Sequence, residues 1–566
     1  MSVKLKAVFK ENSKYTYSPI QTNEFRLARL QPALSADDPI CCSIVSTADF
    51  TTIYEALSYT WGNPELSWTD VLLDDRSHSV PANLGQALRS LRLKDGEKIL
   101  WVDWICIDQT NVIEKSHQVT IVPDIFQSAS QVYVWLGTGD ESSKTAMHFI
   151  GKLDTFSNFD RVVHDSGFDE EWRAVVRLIC VPWFNRVWVV QEISVAQKAI
   201  IWCGSVSVDW KQLETCLALL IRKSQVSTEY GTFKALGASL LMDVVNKAFK
   251  RNELGKTQDP ILSLETLVTT LSSFKSSLPQ DCVYGLLGIA NDTGKWSRRR
   301  EQIEHKFETT LNIIKVDYSS SFSQVCDEFV SFSISRSRSL DIIFRPWAPL
   351  SADSNLSSWT CPLDLQAFKV RSDDGWPEVI RVNADPFVSP SGTRSTYSAS
   401  GTSQVQEGWH IRGPEGSKTL RVMGKIVDSI LETTSPAWNG NTPIEWFEFA
   451  SNLDDNDDGI SEEFWNTLVA GRSPDGINGP PYCPTASHRL RDEISASALS
   501  GVVDVNRIQR EEPGTIRSEF WRRAQCVIWG RTLILTKERR LGLVPGHAQE
   551  GDCKSIKAHQ REPSMN

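Results

Sequence analysis

The sequence predicts an N-terminal α/β module built on a doubly wound parallel sheet, and three observations support this. The run 53–62 (IYEALSYTWG) is rich in β-forming residues. The run 99–107 (ILWVDWICI) is apolar on nearly both faces, which is typical of a strand that helices cover on both sides. Segments with helical spacing lie between such runs, so strands and helices alternate along the chain, as doubly wound folds require.

The predicted elements follow one another closely. Residues 24–34 and 40–46 group β-forming side chains like an entry hairpin ahead of the first strand. Residues 83–93 have the apolar spacing of a helix. The run 132–136 (VYVWL) is another buried strand, and the sheet resumes at 199–203.

Two prolines affect the predicted helices. Pro123 lies inside one of them, where a proline costs about 3 kcal/mol, so this helix is expected to start late or to kink. Pro182 precedes residues 183–196 (WFNRVWVVQEISVA), which we interpret as a helix. Spacings of three and four place Trp188 and Glu192 on one face of it.

The 566 residues exceed one typical core, so several regions are expected. Within the C-terminal region, the Ser-rich and Gly-rich segment 384–406 is the best candidate for a linker or exposed loop, and residues 520–544 resemble a β hairpin or meander. The predicted regions are an entry hairpin (1–50), the α/β module (51–205), a mainly helical region (206–345) and a β-rich, mixed α/β region (346–566).

Composition and missing motifs exclude several classes of function. The net charge of −10 and the lack of a basic stripe argue against a nucleic-acid partner. No stretch has the length and apolarity of a signal peptide or a membrane span, so a cytoplasmic protein is expected. The 12 cysteines are scattered and read as reduced thiols. The nine histidines form no ligand cluster, and Asp454 to Gly459 only imitates a calcium loop, with Trp465 in place of its final glutamate, so no metal is predicted.

Three blocks in order resemble the heterokaryon-incompatibility (HET) domain of fungi: YEALSYTWG from Tyr54, LWVDWICIDQTNVIEKSHQ from Leu100, and WFNRVWVVQE from Trp183. The resemblance continues in DCVYGLLGIA from Asp281 and VDYSSSF from Val316. It implies non-self recognition and programmed cell death, as a form of fungal innate immunity. It also implies protein partners and self-association on activation.

A more distant resemblance links this module to Toll/interleukin-1 receptor (TIR) domains, which have a flavodoxin-like fold. Ser58 and Tyr59 close the first strand, and Trp188-Val-Val-Gln-Glu192 stands where TIR domains have a Trp-Cys-x-x-Glu helix, with Val189 replacing the cysteine. In catalytic TIR domains that glutamate carries the cleavage of NAD. The resemblance therefore implies Glu192 as the catalytic residue and NAD as a substrate, with no resident cofactor.

Further candidate ligand-binding residues follow from the expected position of the site at the carboxyl ends of the strands. Trp188 could stack on the nicotinamide ring, and Arg186 could bind a pyrophosphate through two hydrogen bonds. The remaining candidates lie at the ends of the first two predicted strands: Ser58, Tyr59, Trp61, Gly62, Asp103, Asp108 and Gln109.

A structural interpretation stands beside each of these assignments. Glu192 could cap backbone or pair with Arg186 instead of acting in catalysis. Packing is the preferred role for Trp188 and Trp61, and a buried structural acid for Asp103. Asp108 and Gln109 could simply form an Asx turn.

Two functional hypotheses result. The first is an incompatibility effector that triggers cell death, through TIR-like NAD hydrolysis if it is an enzyme. The second is a non-catalytic signalling adaptor that acts by protein–protein interaction.

Overall fold

The protein is described from a computed structural model. The described residues are 14–35, 37–62, 67–226, 237–251, 257–294, 313–344, 356–357, 359–360, 363, 368–371, 378–385, 409–414, 418–422, 425–452, 461–472 and 500–556. The predicted loop at 384–406 lies outside them except for its first two residues, as does the calcium-loop imitation at 454–459.

The described chain contains the following strands: β1 Phe25–Leu30, β2 Cys41–Thr47, β3 Glu55–Tyr59, β4 Trp68–Leu73, β5 Arg76–Pro81, β6 Lys98–Trp101, β7 Val132–Trp135, β8 Ala199–Cys203, β9 Val206–Asp209, β10 Phe249–Arg251, β11 Thr257–Pro260, β12 Phe368–Arg371, β13 Glu378–Arg381, β14 His410–Arg412, β15 Thr419–Arg421, β16 Lys425–Pro436, β17 Thr442–Pro443, β18 Val502–Val503, β19 Arg531–Thr536, β20 Leu541–Pro545 and β21 Cys553–Ile556.

The α-helices of the described chain are α1 Ala82–Leu91, α2 Asp103–Cys106, α3 Val112–Ser128, α4 Glu141–Lys152, α5 Phe159–His164, α6 Asp169–Ile179, α7 Val187–Ser194, α8 Trp210–Val226, α9 Gly237–Ala248, α10 Leu264–Thr270, α11 Asp281–Leu287, α12 Phe322–Ser337, α13 Glu445–Ser451, α14 Glu462–Val469, α15 Val505–Glu511 and α16 Ile516–Ile528. Short 3-10 helices cover Leu153–Thr155, Ser166–Phe168, Pro182–Asn185, Asp341–Phe344 and Trp438–Gly440.

The chain divides into two compact units, residues 1–321 with 370–379 and residues 322–369 with 380–566. The first unit holds a nine-stranded sheet with the order β5-β4-β2-β1-β6-β3-β7-β8-β9. Its centre, β6-β3-β7-β8, is parallel. Numbered along the chain, these four strands have the order 2-1-3-4, which is how a flavodoxin-like sheet begins.

The predicted α/β module is therefore confirmed, and its parallel sheet occupies the centre of a wider mixed sheet. The predicted entry hairpin is present as β1 and β2. It joins the sheet directly, because β1 pairs antiparallel with both β2 and β6.

The run 99–107 is not a single strand, as the sequence predicted. Strand β6 ends at Trp101, and Asp103 begins the short helix α2. The Asp103 carboxylate accepts hydrogen bonds from the Trp104 backbone N–H (2.7 Å) and the Trp61 indole N–H (2.8 Å). These two hydrogen bonds hold Asp103 at the start of the helix, and the apolar pattern fits a buried helical turn as well as a strand.

The two predicted helices with nearby prolines also differ from expectation. Helix α3 does not start late, since it begins at Val112 and continues through the buried Pro123. Asn111 caps it by accepting a hydrogen bond from the Glu114 N–H. The segment after Pro182 forms a 3-10 turn before α7 begins, so the predicted single helix is two elements.

Helix α11 packs closely against α7 because a glycine lies at their contact. A Cβ atom at Gly285 would stand 2.8 Å from Cγ1 of Val187, closer than real side chains approach. Gly285 lies one turn after Asp281, so this close approach brings Asp281 beside α7.

The second unit contains a four-stranded sheet, β20-β19-β16-β21, and a core of apolar side chains from α13, α14, α15 and α16. The hairpin predicted within 520–544 exists only as β19 and β20, because residues up to Ile528 form α16. Phe520, Trp521 and Ala524 recur at helical spacing and are buried, and Thr515 caps the helix by accepting from the Ser518 N–H. Among the described residues, no helix is long and apolar enough to cross a membrane.

Candidate active site

A pocket of about 190 Å³ opens at the carboxyl ends of β3 and β6 in the first unit. Helices α3, α7 and α11 and the segment around Tyr318 complete its wall. Its lining residues are Leu57, Tyr59, Trp61, Trp101, Asp103, Ile107, Gln109, Lys115, Val119, Val122, Phe126, Arg186, Trp188, Glu192, Ser277, Leu278, Asp281 and Tyr318. Aromatic walls with a few convergent charged groups are typical of small-molecule sites.

Glu192 lies in α7 and keeps 8% of its surface exposed, toward this pocket. The Ser58 hydroxyl donates a hydrogen bond to its carboxylate and accepts one from the Trp183 indole N–H (2.8 Å). Burial raises the pKa of Glu192 to about 7, although the nearby Arg186 and the Ser58 hydrogen bond oppose the shift. A carboxyl group with this pKa changes its charge near neutral pH, which is common for residues that act in catalysis.

Asp103 is another acid that lines the pocket, and it lies at the start of α2. It accepts the indole hydrogen bond of Trp61 described above, and its backbone carbonyl accepts one from the Gln109 side chain (3.1 Å). Burial, and after it the neighbouring Asp103 carboxylate, raise the pKa of Tyr59 well above its usual value. Tyr59 is therefore a neutral hydroxyl group in the pocket wall.

The loop between β6 and α3 is held in place by Arg26 of β1. The buried Arg26 guanidinium binds both carboxylate oxygens of Glu114 (2.6 and 3.0 Å) and donates to the Cys106 carbonyl (3.0 Å). Glu114 also accepts from the Asp108 N–H (2.9 Å). These bonds fix both ends of the segment that carries Asp103 and Gln109, so the entry hairpin contributes to the shape of the site.

Beside Trp188, the pocket wall contains another buried acid, Asp281 of α11. Its carboxylate accepts hydrogen bonds from the Trp188 indole N–H (3.0 Å) and from the Tyr318 hydroxyl (2.7 Å). Burial raises the pKa of Asp281, and these two hydrogen bonds oppose the shift. We call Trp188, Asp281 and Tyr318 the clasp, because they tie three separate chain segments together along one side of the pocket.

Two cations line the pocket, Lys115 in the first turn of α3 and Arg186 just before α7. The Lys115 ammonium lies 4.8 Å from the centre of the Tyr318 ring, a cation–π distance. Neither cation forms an ion pair within the part of the chain that the structure describes.

The structure brings most of the predicted site residues together, since seven of them line one pocket: Tyr59, Trp61, Asp103, Gln109, Arg186, Trp188 and Glu192. Ser58 lies behind this wall as the hydrogen-bond partner of Glu192. Gly62 and Asp108 are not among the lining residues. Gly62 adopts a φ of +79°, and Asp108 accepts from the Thr110 N–H and hydroxyl, which is the Asx turn foreseen as its alternative role.

Besides Ser277, sequence reasoning missed three polar residues of the pocket, Lys115, Asp281 and Tyr318. Each lies within a sequence block that carries the HET resemblance. Their position as polar residues inside these blocks is the sequence signal that could have identified them. What the sequence could not give is their convergence, because Asp281 and Tyr318 are about a hundred residues beyond α7 along the chain.

The arrangement offers one buried carboxylate that titrates near neutral pH, two cations and an aromatic wall. Such a pocket can stabilise a developing positive charge near Glu192 and hold an anionic group elsewhere. Among the described residues there is no group of three or more side chains able to hold a metal ion.

Comparisons with known proteins agree with the sequence blocks. Residues 54–192 match the family described as Heterokaryon incompatibility protein (HET). The chain is 26% identical over 404 residues to Heterokaryon incompatibility protein 6, OR allele, of Neurospora crassa, covering 60% of this chain and 57% of that protein. It is 28% identical over 143 residues to Vegetative incompatibility protein HET-E-1 of Podospora anserina, covering 25% and 9% respectively. The chain thus spans less than two thirds of either relative, and no solved structure matches it.

Proposed function

We propose, because residues 54–192 match the HET family, that the chain acts in heterokaryon incompatibility as a non-self recognition effector that triggers cell death. We further propose that the pocket in the first unit supplies the death signal by hydrolysing NAD. The incompatibility proteins to which the chain is similar support the first part. The pocket geometry supports the second.

In the proposed reaction, the bond between the nicotinamide nitrogen and the ribose C1′ breaks, and water supplies a hydroxyl to C1′. The products are nicotinamide, ADP-ribose and a proton. Nicotinamide leaves as a neutral molecule because its ring nitrogen is cationic in NAD, so the leaving group needs no proton. The barrier lies in the positive charge that develops on the ribose.

Glu192 would stabilise that charge as a carboxylate. Ser58 and Arg186 favour the ionised form of Glu192, and burial strengthens its electrostatic effect on a bound ribose. Trp188 lies one turn earlier on the same helix and lines the same pocket, where its ring can pack against the nicotinamide. Asp103 adds a second carboxylate to the lining of the same pocket.

The observation that carries this proposal is that Glu192, Trp188 and the end of the first parallel strand line a single pocket. The pocket volume of about 190 Å³ is below the roughly 300–1,000 Å³ of sites that enclose whole drug-sized ligands. This volume suits the nicotinamide ribose end of the dinucleotide, with the adenosine end outside.

The test is nicotinamide release from NAD by the purified full chain, compared between wild type and Glu192→Gln. The variant should lose about 10²–10³-fold in kcat, the usual cost of removing one preorganised electrostatic group. Glu141→Gln is the matched control, because Glu141 is 93% exposed in α4, away from the pocket. In fungal cells, wild type should deplete NAD, whereas Glu192→Gln should leave it intact.

If Glu192→Gln kills cells as well as wild type while NAD stays intact, the hydrolase proposal is wrong. The chain would then act as a signalling adaptor through protein contacts.

A further inference from the structure

The pocket contains a positive charge that the proposed cleavage does not use. Lys115 in the first turn of α3 lines this pocket, and its ammonium forms no ion pair in the described chain. Placing an unpaired cation in a partly buried site is unfavourable unless something compensates it. The question is which group does so.

Asp281 is a pocket acid on which the Lys115 charge acts, yet its two oxygens are already engaged. One accepts from the Trp188 indole and the other from the Tyr318 hydroxyl, and no Lys115–Asp281 contact lies within ion-pair distance. The clasp therefore uses neutral donors to satisfy its acid. Lys115 influences the Asp281 charge only at longer range.

The clasp also positions the Tyr318 ring against the Lys115 ammonium. Tyr318 presents its ring face to the ammonium at 4.8 Å while its hydroxyl is anchored on Asp281. A ring face holds a cation without neutralising it and leaves its N–H donors free. The ammonium thus stays available to an acceptor in the pocket.

We propose that Lys115 is a specificity-determining residue that binds a phosphate oxygen of the ligand, so that the pocket selects molecules carrying a diphosphate. This inference rests on the proposed function and refines its substrate class: a nucleoside diphosphate conjugate is preferred over the same glycoside without phosphate. Arg186 supplies the second cation of the pocket, and its charge acts on Glu192.

The experiment measures binding by calorimetry to the full chain, with ADP-ribose, inorganic pyrophosphate and nicotinamide as probes. None of these contains the bond to be cleaved, so binding is read without turnover. Lys115→Gln should raise the Kd for ADP-ribose and pyrophosphate about tenfold, which corresponds to one charge-assisted hydrogen bond. The Kd for nicotinamide should not change.

Two further variants make the result specific. Lys115→Arg keeps the charge and should retain most of the affinity for pyrophosphate. Lys211→Gln is the matched control, because Lys211 is an exposed lysine in the first turn of another helix, α8, and does not line the pocket. It should bind all three probes like wild type.

The inference is overturned if Lys115→Gln binds all probes like wild type, or if it loses nicotinamide and pyrophosphate equally. It is also overturned if the variant only lowers the melting temperature, since Lys115 would then serve to balance the clasp. Failure of NAD hydrolysis gives a different pattern, in which ADP-ribose binding depends on Lys115 but no nicotinamide is released. If NAD is hydrolysed but ADP-ribose binding does not depend on Lys115, the proposed function holds and this inference is wrong.

Discussion

Two buried acids, Glu192 and Asp281, line the same pocket, and both accept a hydrogen bond from a side-chain hydroxyl group. Glu192 is bonded to a serine hydroxyl that is itself bonded to the Trp183 indole, whereas Asp281 is bonded directly to the Trp188 indole and the Tyr318 hydroxyl. The difference is the number of donors on the carboxylate. Glu192 receives one hydrogen bond from the described side chains and Asp281 receives two.

This difference indicates two different roles. A buried carboxylate with few donors stays costly to ionise, and the pKa of Glu192 is accordingly raised to about 7. Folding alone gives no reason to keep such a group, so a function is the better explanation for it. Asp281 has a hydrogen-bond partner on each oxygen, joins three chain segments and orients Trp188. These contacts indicate a structural and positioning role.

The largest expected effect that tests this contrast is a gain in stability. Because the folded-state pKa of Glu192 lies above its ordinary value of 4.5, the folded protein holds this proton more tightly than the unfolded chain. Stability from this group is complete at low pH and is lost as pH rises from about 4.5 toward 7. Glu192→Gln removes the ionisation and should stabilise the protein by about 3 kcal/mol at pH 8.

At pH 5 the gain should shrink below about 1 kcal/mol, because Glu192 is then protonated in the folded protein. Denaturant unfolding of wild type and variant at both pH values checks this. If the variant is less stable than wild type at pH 8, the ionised Glu192 is well stabilised by its surroundings. Glu192 and Asp281 would then not differ in the way proposed.

The second prediction concerns the pH dependence of nicotinamide release. The proposed cleavage requires the carboxylate form of Glu192, so kcat/KM should be level above pH 7 and fall about tenfold per unit below it. At pH 5 the rate should be roughly a hundredfold below the plateau, with near-ultraviolet circular dichroism confirming the native fold. A rate that is constant from pH 5 to 8 would mean that the titration of Glu192 does not control the reaction.

The sequence predicted the Glu192 wall but not the Asp281 wall, and the reason is physical. Parallel strands place their carboxyl ends at one edge of the sheet, so Tyr59, Trp61 and Asp103 could be expected together. Helix spacing placed Trp188 one turn from Glu192. Both arguments use local geometry and the general grammar of α/β folds.

The clasp depends on contacts that no local pattern encodes. Asp281 meets Trp188 because Gly285 allows α11 to approach α7, and Tyr318 arrives from a segment beyond residues 295–312, which the structure does not describe. Local patterns also misassigned Asp103 and the segment before Ile528, where apolar residues fit strand and helix equally well. The resemblance to TIR domains stays a prediction, since no solved structure matches the chain.

The smallest of the three expected effects tests the clasp. Asp281→Leu leaves the Trp188 indole and the Tyr318 hydroxyl without an acceptor, and each buried donor without a partner costs about 1–3 kcal/mol. Both side chains are only half-buried and can turn toward water, so the total loss should be near the low end, about 2 kcal/mol.

Asp281→Asn is the matched control for that loss. Its carbonyl can accept from Trp188, and its amide can donate to Tyr318 once the hydroxyl reverses its role. The asparagine variant should therefore lose less than about 1 kcal/mol and keep the KM for NAD, whereas the leucine variant should raise KM because Trp188 is no longer oriented. Equal behaviour of the two variants, in unfolding and in KM, would mean that the hydrogen bonds of Asp281 do not position Trp188, because asparagine can keep these bonds and leucine cannot.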